Sequence, residues 1–405
     1  MTADDAPPTL HDDRLSVEDL LASPRGRSLV FGLALEQVES LPWTRDEEAP
    51  GVEAVVRNLR CLRPVAPTWS VVKEAISDVV DAAVYWQPPD DDDWGTAEIG
   101  EVREILRPFA ETLVSTGLLD AWSKPLDPDD QWALAWDDKD LNEVNGRHTE
   151  LPAVFDLETG PTDASIEITL TDLYPPLDGH GTRLAWGLSE WLADVLTTET
   201  EYRHDFAKNP YMELSGEWWS TPPDGLWSST GTWPDGTLIG VELVEDDFGL
   251  ERARACRLKL RPDARIAEIR GPEDWADLCR RYPLDVTAQR RHVWFETTGR
   301  KGRWVIPDWS RAAEEFDGVH VGLAGYLRTA GAIIDVGPCF PGEGQGRLGE
   351  EPETIPTAGN TDDRTASVMA GWHPDTTFWL NDVIDTVTEV VEWHYDDDAD
   401  RWVRN

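Results

Sequence analysis

The spacing of apolar residues changes partway along the chain, and this change limits the possible folds more than any other feature. From Ser16 to about Leu141 apolar side chains recur every three or four residues, as at Leu29 and Leu33, which is the period of an amphipathic helix. After Pro210 short apolar stretches alternate with Gly, Pro and Asp, as strands and turns do. The sequence therefore predicts an α+β fold: a helical N-terminal module followed by a mixed, mostly antiparallel sheet domain with a few helices.

The same pattern divides the chain into three parts. Residues 1–141 are predicted to form the helical N-terminal module, residues 142–209 a strand-helix connecting region, and residues 210–405 an α+β C-terminal domain. Within the last part, residues 337–364 are rich in Gly, Pro, Thr and Asp and predict a flexible loop, while 217–220 and 237–244 are predicted strands. We expect one core to contain the apolar residues of the later strands, namely Ile266, Ile269, Val319, Val321, Val368 and Trp379.

The charge of the chain limits its binding partners. There are 79 acidic and 36 basic side chains, so the formal net charge is −43. Such a surface repels a polyanion and attracts a basic protein, which argues against general nucleic-acid binding. The start of the chain has acidic residues where a secretory signal has basic ones, and no early apolar run is long enough for a membrane span. We expect a cytoplasmic protein without membrane association, and the oligomeric state stays open.

Metal and common nucleotide motifs are missing from the sequence. The eight histidines have no HExxH or HxH grouping, and the four cysteines have no CxxC spacing, so no metal site is predicted and the cysteines are expected to be buried thiols. No P-loop or GxGxxG follows a predicted strand, and no GxSxG nucleophile motif occurs.

One segment reverses the charge of the chain. From Glu251 to Arg328 there are 16 Lys or Arg against 12 Asp or Glu. Guanidinium groups match phosphate oxygens and aromatic faces stack on rings, so this mixture could hold a nucleotide. In the alternative, the arginines pair with the protein's own carboxylates and the aromatic rings lie in the core. The candidate cofactor-binding residues are Arg290, Arg291, Arg300, Arg303, Trp294 and Trp304.

Part of the C-terminal half carries a resemblance to known proteins. The ordered segments are GLWSST at 225–230, PEDWADL in a predicted helix, DWSRAAEEFDGVHV and GWHPDTTFWLND. In order and layout these segments resemble bacterial and phage proteins of the ADP-ribosyltransferase type, over residues 216–381. The block RYPLDVTAQRRHVWFETTGRKGRWVIPDW resembles uncharacterised actinobacterial proteins, with which the whole chain is colinear.

The ADP-ribosyltransferase resemblance implies an NAD-dependent enzyme with a defined set of groups. In that superfamily a Ser, Thr or Tyr on the second strand supports the nicotinamide ribose, and the position matches Ser228, Ser229 and Thr230. The Arg or His of the first strand corresponds by order alone to Arg203 or His204. The late-strand Glu has no counterpart at 318–322, so either His320 takes a different role or the fold is inactive.

Two functions therefore stand as hypotheses. The first is an acidic binding or immunity-type protein that acts on a basic protein partner and needs no cofactor. The alternative is an NAD-dependent ADP-ribosyltransferase-like enzyme. The enzyme hypothesis predicts that the segment from Ser228 to Thr230, His320 and the arginine group from Arg290 to Arg303 converge on one concave pocket.

Overall fold

A computed structural model describes residues 13–39, 52–85, 100–136, 168–169, 183–209, 211–212, 217–223, 225–247, 249–340 and 362–405. These residues form 12 α-helices and three sheets whose strands are mostly antiparallel, which confirms the predicted α+β class.

The described N-terminal part is helical. It contains α1 (Val17–Ala22), α2 (Pro24–Glu39), α3 (Val52–Cys61), α4 (Trp69–Asp81) and α5 (Gly100–Ser115), followed by a short 3-10 helix at Asp120–Ser123. The first helix begins after Ser16 because Ser16 and Asp19 form a capping box, in which Asp19 N donates to Ser16 Oγ at 3.1 Å. Pro24 occupies the first position of α2, where its missing N–H interrupts no helical hydrogen bond.

Three sheets follow, and the third of them carries the candidate site. The first sheet runs in the order β1 (Gln131–Trp136), β4 (Arg252–Leu260), β12 (Ile384–Asp396) and β13 (Arg401–Arg404), with β2 (Ile168–Thr169) also paired to β12. The second runs β6 (Pro283–Asp285), β7 (Gly302–Pro307), β10 (Asp362–Ser367) and β9 (Ile334–Asp335). The third runs β3 (Ser228–Ser229), β11 (Thr376–Trp379), β8 (Gly318–Val321) and β5 (Ile266–Glu268), and only its β8–β5 pair is parallel.

Seven further helices connect and cover these strands. They are α6 (Arg183–Lys208), α7 (Ile239–Glu242), α8 (Pro272–Arg281), α9 (Thr287–Arg290), α10 (Val293–Thr298), α11 (Trp309–Ala312) and α12 (Leu323–Thr329). The predicted helix at 272–281 is confirmed, because its signals are local: proline at the first position, acidic residues in the first turn and arginines in the last.

The largest core cluster joins the N-terminal helices to the third sheet. Leu29 of α2, Ile76 of α4 and Leu106 of α5 share this cluster with Val319 of β8 and Trp275 of α8. The helical part and the sheet part thus bury apolar surface against each other. The three-part division of the chain stays a prediction.

The predicted core residues of the later strands are buried or half-buried, but they belong to three clusters instead of one. Val319 and Val321 join the largest cluster, whereas Trp379 and Ile266 join a second and Val368 a third. The reason is that β8 is buried on both faces, with Val319 and Val321 on one face and Trp379 of the neighbouring strand on the other.

Some sequence predictions are wrong in detail. The predicted strand at 237–244 contains α7 instead, because Leu243 N bonds to the carbonyl oxygen of Ile239 in the same segment and not to a neighbouring strand. Residues 217–220 form no strand in the described structure. Of the four cysteines predicted to be buried, Cys256 and Cys279 are buried, whereas Cys339 is half-buried and Cys61 is exposed. Residues 362–364 of the predicted loop pair in β10, and residues 341–361 lie outside the described residues.

Among the helices in the described ranges, none combines the length and the apolar character that a membrane crossing requires.

Candidate functional site

Four polar residues lie in one row across the third sheet. Ser229 of β3 is opposite Thr377 of β11, Thr377 is opposite His320 of β8, and His320 is opposite Glu268 of β5. Directly paired residues project from the same face of a sheet, so the four side chains share one face. Ser229, Thr377 and His320 are buried, and only Glu268 reaches the solvent, with 23% of its side chain exposed.

His320 is held between two carboxylates. Its Nδ1 lies 2.7 Å from Glu268 Oε2, and its Nε2 lies 3.5 Å from Asp375 Oδ1. Burial alone would lower the pKa of His320, but the interactions with Asp375 and Glu268 outweigh burial and raise this pKa to about 9. His320 is therefore an imidazolium at neutral pH, and its single positive charge is shared between two carboxylates.

The pKa of Glu268 shifts in the opposite direction. Burial raises it, but the hydrogen bond and the charge of His320 outweigh burial and bring the pKa below its usual range. Glu268 Oε1 also accepts a hydrogen bond from the backbone N–H of Leu126 at 3.0 Å. Glu268 is thus a fixed anion at the solvent end of the row.

Asp375 is fixed by the turn that precedes β11. Its backbone has φ +55°, a left-handed conformation that is uncommon for aspartate. Its Oδ2 accepts a hydrogen bond from Gly231 N at 2.7 Å and a longer one from Thr230 Oγ1 at 3.4 Å. Asp375 thus links His320 to the chain that follows β3.

Ser229 is also fully engaged. Its hydroxyl donates to Gln131 Oε1 at 2.6 Å and accepts from Trp379 Nε1 at 2.9 Å. A hydroxyl has one proton, and here that proton is held by an amide oxygen. Ser229 and His320 thus lie on one face of the sheet, but the group that contacts His320 is a carboxylate and the Ser229 hydroxyl bonds to Gln131.

A pocket of about 440 Å³ opens along β5 at the solvent end of the row. Its walls contain four carboxylates and two guanidinium groups together with apolar side chains. The residues that line it are Asp13, Ser123, Pro125, Ile266, Ala267, Glu268, Ile269, Arg270, Asp274, Asp277, Leu278, Arg281 and Phe316. Glu268 therefore belongs both to the polar row and to the pocket.

Both guanidinium groups of the pocket already contact carboxylates. Arg270 Nε lies 3.3 Å from Asp274 Oδ2, and Arg281 forms an ion pair with Glu315. The four carboxylates of the lining outnumber its two guanidinium groups, while outside the lining His320 pairs with Glu268 and Arg280 with Asp277. Such a pocket favours a cationic group over a phosphate.

The arginine group predicted from the charge reversal lies in and beside the second sheet. Arg290 is 1% exposed, and its guanidinium contacts Glu217 Oε2 at 3.2 Å and the carbonyl oxygen of Trp219 at 3.1 Å. The guanidinium of Arg291 lies 4.2 Å from the centre of the Phe206 ring. Burial lowers the pKa of both arginines.

The other members of this group surround two buried tryptophans. The Arg300 guanidinium lies 4.6 Å from the Trp304 ring centre and donates to the carbonyl oxygen of Arg303 at 3.1 Å. Arg303 lies 3.6 Å from Asp285 Oδ2. Trp294 and Trp304 pack edge to face with centroids 5.2 Å apart, and both are fully buried. The two rings therefore offer no open face for a ligand.

The structure brings some predicted site residues together and separates others. Ser229 and His320 lie on one face of the third sheet, and Thr230, just after β3, is linked to His320 through Asp375, whereas Ser228 points to the opposite face. The arginine group belongs to the second sheet, and neither it nor His320 lines the pocket at β5. Arg203 on α6 contacts Glu199 and Asp285, both at 2.9 Å, and His204 is exposed on the same helix.

The sequence analysis missed two residues of the row, Thr377 and Glu268, and two that contact it, Asp375 and Gln131. Glu268 lies in a strand predicted at 265–269 and Thr377 in one predicted at 377–380, so both strands were found while their pairing was not. No group of three or more metal-ligating side chains arranged for a metal ion occurs in the described ranges.

Comparison of the chain with protein-family models, with curated proteins and with solved structures finds no match.

Proposed function

We propose that this protein binds a basic protein partner and that the pocket at β5 receives a cationic side chain of that partner. The observation that carries the proposal is the lining of the pocket, in which four carboxylates, Glu268 among them, outnumber two guanidinium groups. An acidic surface also raises the rate at which a basic partner is encountered.

The shape of the pocket suits a long cationic side chain. Ile266, Leu278 and Phe316 provide apolar walls, and the carboxylates of Asp274 and Asp277 stand on α8 beside them. Lysine and arginine bury an aliphatic stem along apolar surface while the charged end meets a carboxylate. The chemistry of the pocket therefore selects a protein segment with Arg or Lys.

A charge-neutralising variant tests this proposal. The probe is an oligo-arginine hexapeptide, and its dissociation constant is measured by calorimetry at physiological salt. Asp274→Asn with Asp277→Asn should weaken binding about tenfold, since each exposed ion pair contributes up to about 1 kcal/mol.

The matched control is Asp397→Asn with Asp398→Asn, which removes the same charge from the exposed turn between β12 and β13. This control should change the dissociation constant by less than about threefold. Equal weakening by both pairs would mean that only the overall charge acts, and the proposed pocket would be rejected.

The alternative function, an NAD-dependent ADP-ribosyltransferase, has one supporting observation. Ser229, His320 and a carboxylate, Glu268, lie in one row in the third sheet. The residues present do not fit NAD at the pocket, because its excess negative charge opposes a pyrophosphate and the arginine group lies in another sheet. Calorimetry with NAD tests this alternative. A heat of NAD binding that the original protein shows and that Ser229→Ala abolishes would support the enzyme over the binding function.

A further inference from the structure

The pocket follows the free edge of a sheet. β5 is the last strand of the third sheet, and the five consecutive residues from Ile266 to Arg270 line the pocket. A strand at the edge of a sheet presents backbone N–H and C=O groups that a further strand can pair with.

The register shows which backbone groups of β5 are available. Glu268 is opposite His320, and Ile269 N donates to the carbonyl oxygen of His320 at 2.8 Å. In a parallel pair, when a residue of one strand directs its N–H and C=O toward the partner strand, the residue opposite directs its own away. His320 and Gly318 of β8 face β5 in this way, so the N–H and C=O groups of Glu268 and Ile266 point to the free edge. Within the described ranges these four groups have no hydrogen-bond partner.

We infer that the basic partner binds as an extended segment that adds an antiparallel strand to β5; this inference rests on the proposed function. A residue directly opposite Glu268 would exchange two backbone hydrogen bonds with it and place its side chain on the same sheet face. An arginine or lysine there would lie beside the Glu268 carboxylate. Backbone pairing thus supplies the alignment, and the negative charge of the pocket selects a basic segment.

The charge of the groove supports this occupant over an apolar or acidic one. Asp274 and Asp277 on α8 line the groove on one side, and Asp13 lies at its wall as well. Since α8 packs on the sheet face that carries Ala267 and Ile269, residues of an added strand opposite Ile266 and Glu268 would face the Glu268 carboxylate, and the residues between them would face Asp274 and Asp277.

N-methylation of a peptide tests the inference without altering the protein. The probe is the acetylated and amidated pentapeptide Arg-Val-Arg-Val-Arg, two of whose three arginines would be opposite Ile266 and Glu268. N-methyl groups on the arginine residues remove the N–H groups that face β5, whereas N-methyl groups on the valines remove those that face away. The first peptide should bind at least about tenfold more weakly than the parent, and the second within about threefold of it.

The outcomes separate the two proposals. Equal binding of both methylated peptides, or greater weakening by valine methylation, would overturn the antiparallel strand even if Asp274→Asn with Asp277→Asn still weakens binding of the oligo-arginine hexapeptide. Loss of that dependence on the pocket carboxylates would instead overturn the proposed function.

A protein variant gives a second readout. Ile266→Pro removes an N–H on the free edge and no hydrogen bond to β8, so it should weaken the parent peptide about tenfold. Ile266→Val keeps the N–H and should bind the parent peptide as tightly as the unmodified protein does. The melting temperatures of both variants establish that they are folded. Unchanged binding in folded Ile266→Pro would contradict the strand.

Discussion

The buried ion-pair network of His320 predicts a measurable dependence of stability on pH. The pKa of His320 is about 9 in the folded protein, against 6.5 for an ordinary histidine. Each pKa unit corresponds to about 1.4 kcal/mol, so protonated His320 contributes about 3 kcal/mol to the free energy of unfolding. Because the pKa is raised in the folded state, this contribution is complete below pH 6.5 and is lost as the pH rises through 9.

The replacement His320→Gln removes the titrating group and keeps a side chain of similar length. We expect the free energy of unfolding of the original protein to fall by about 3 kcal/mol more than that of the variant between pH 6 and pH 9.5. Urea unfolding followed by tryptophan fluorescence at several pH values measures this difference. At pH 6 the variant should be the less stable protein, because Glu268 and Asp375 lose the cation between them.

The exposed residue His204 provides the control. His204→Gln removes a histidine from the surface of α6, and its unfolding is measured at the same pH values as that of His320→Gln. If His320→Gln and the original protein lose stability in parallel from pH 6 to pH 9.5, the imidazolium between two carboxylates is not present in the folded state.

Two further predictions concern stability. Burial raises the pKa of Glu245 to about 8, so the stability contributed by its bound proton is complete below pH 4.5 and is lost as the pH rises through 8. The glutamine of Glu245→Gln can still accept a hydrogen bond from the Tyr326 hydroxyl but does not titrate. The melting temperature of this variant should therefore fall less between pH 5 and pH 8.5 than that of the original protein. A Cβ at Gly325 would lie 1.9 Å from the carbonyl oxygen of Ile269, so Gly325→Ala should cost about 3 kcal/mol in urea unfolding. A Cβ at Gly187 would meet nothing within 4 Å, so Gly187→Ala should not destabilise the protein, and a similar loss there would contradict the packing argument.

The elements that the sequence determined are those with local signals. The capping residue Ser16 and the proline at position 24 mark two helix starts, and Pro272 to Arg281 contains both the start and the end of α8. These signals act between residues up to four positions apart, so they can be recognised in the sequence alone. The helical period before residue 141 and the short apolar stretches after residue 210 similarly indicated the α+β class.

Local patterns were insufficient where packing decides the conformation. The segment 237–244 is predicted as a strand, yet it contains α7, in which Leu243 N bonds to the carbonyl oxygen of Ile239 while Gly240 lies against Leu134 and Thr230 of other segments. The charge reversal was visible in the sequence, but whether its arginines face a ligand or the protein depends on the burial of Arg290 and on the position of Glu217.

The candidate site was determined only by the tertiary structure. His320 and Ser229 could be named from the sequence. Glu268 and Asp375 become partners of His320 only because β5 and β11 pair with β8. Ser229 bonds to Trp379, 150 residues further along the chain, and His320 bonds to Glu268 across 52 residues. Strand partners and their register depend on long-range packing of both sheet faces, and a shift of one residue would move every side chain to the other face. The sequence therefore supplies the charged residues, and the register of the third sheet decides which of them meet and which one reaches the pocket.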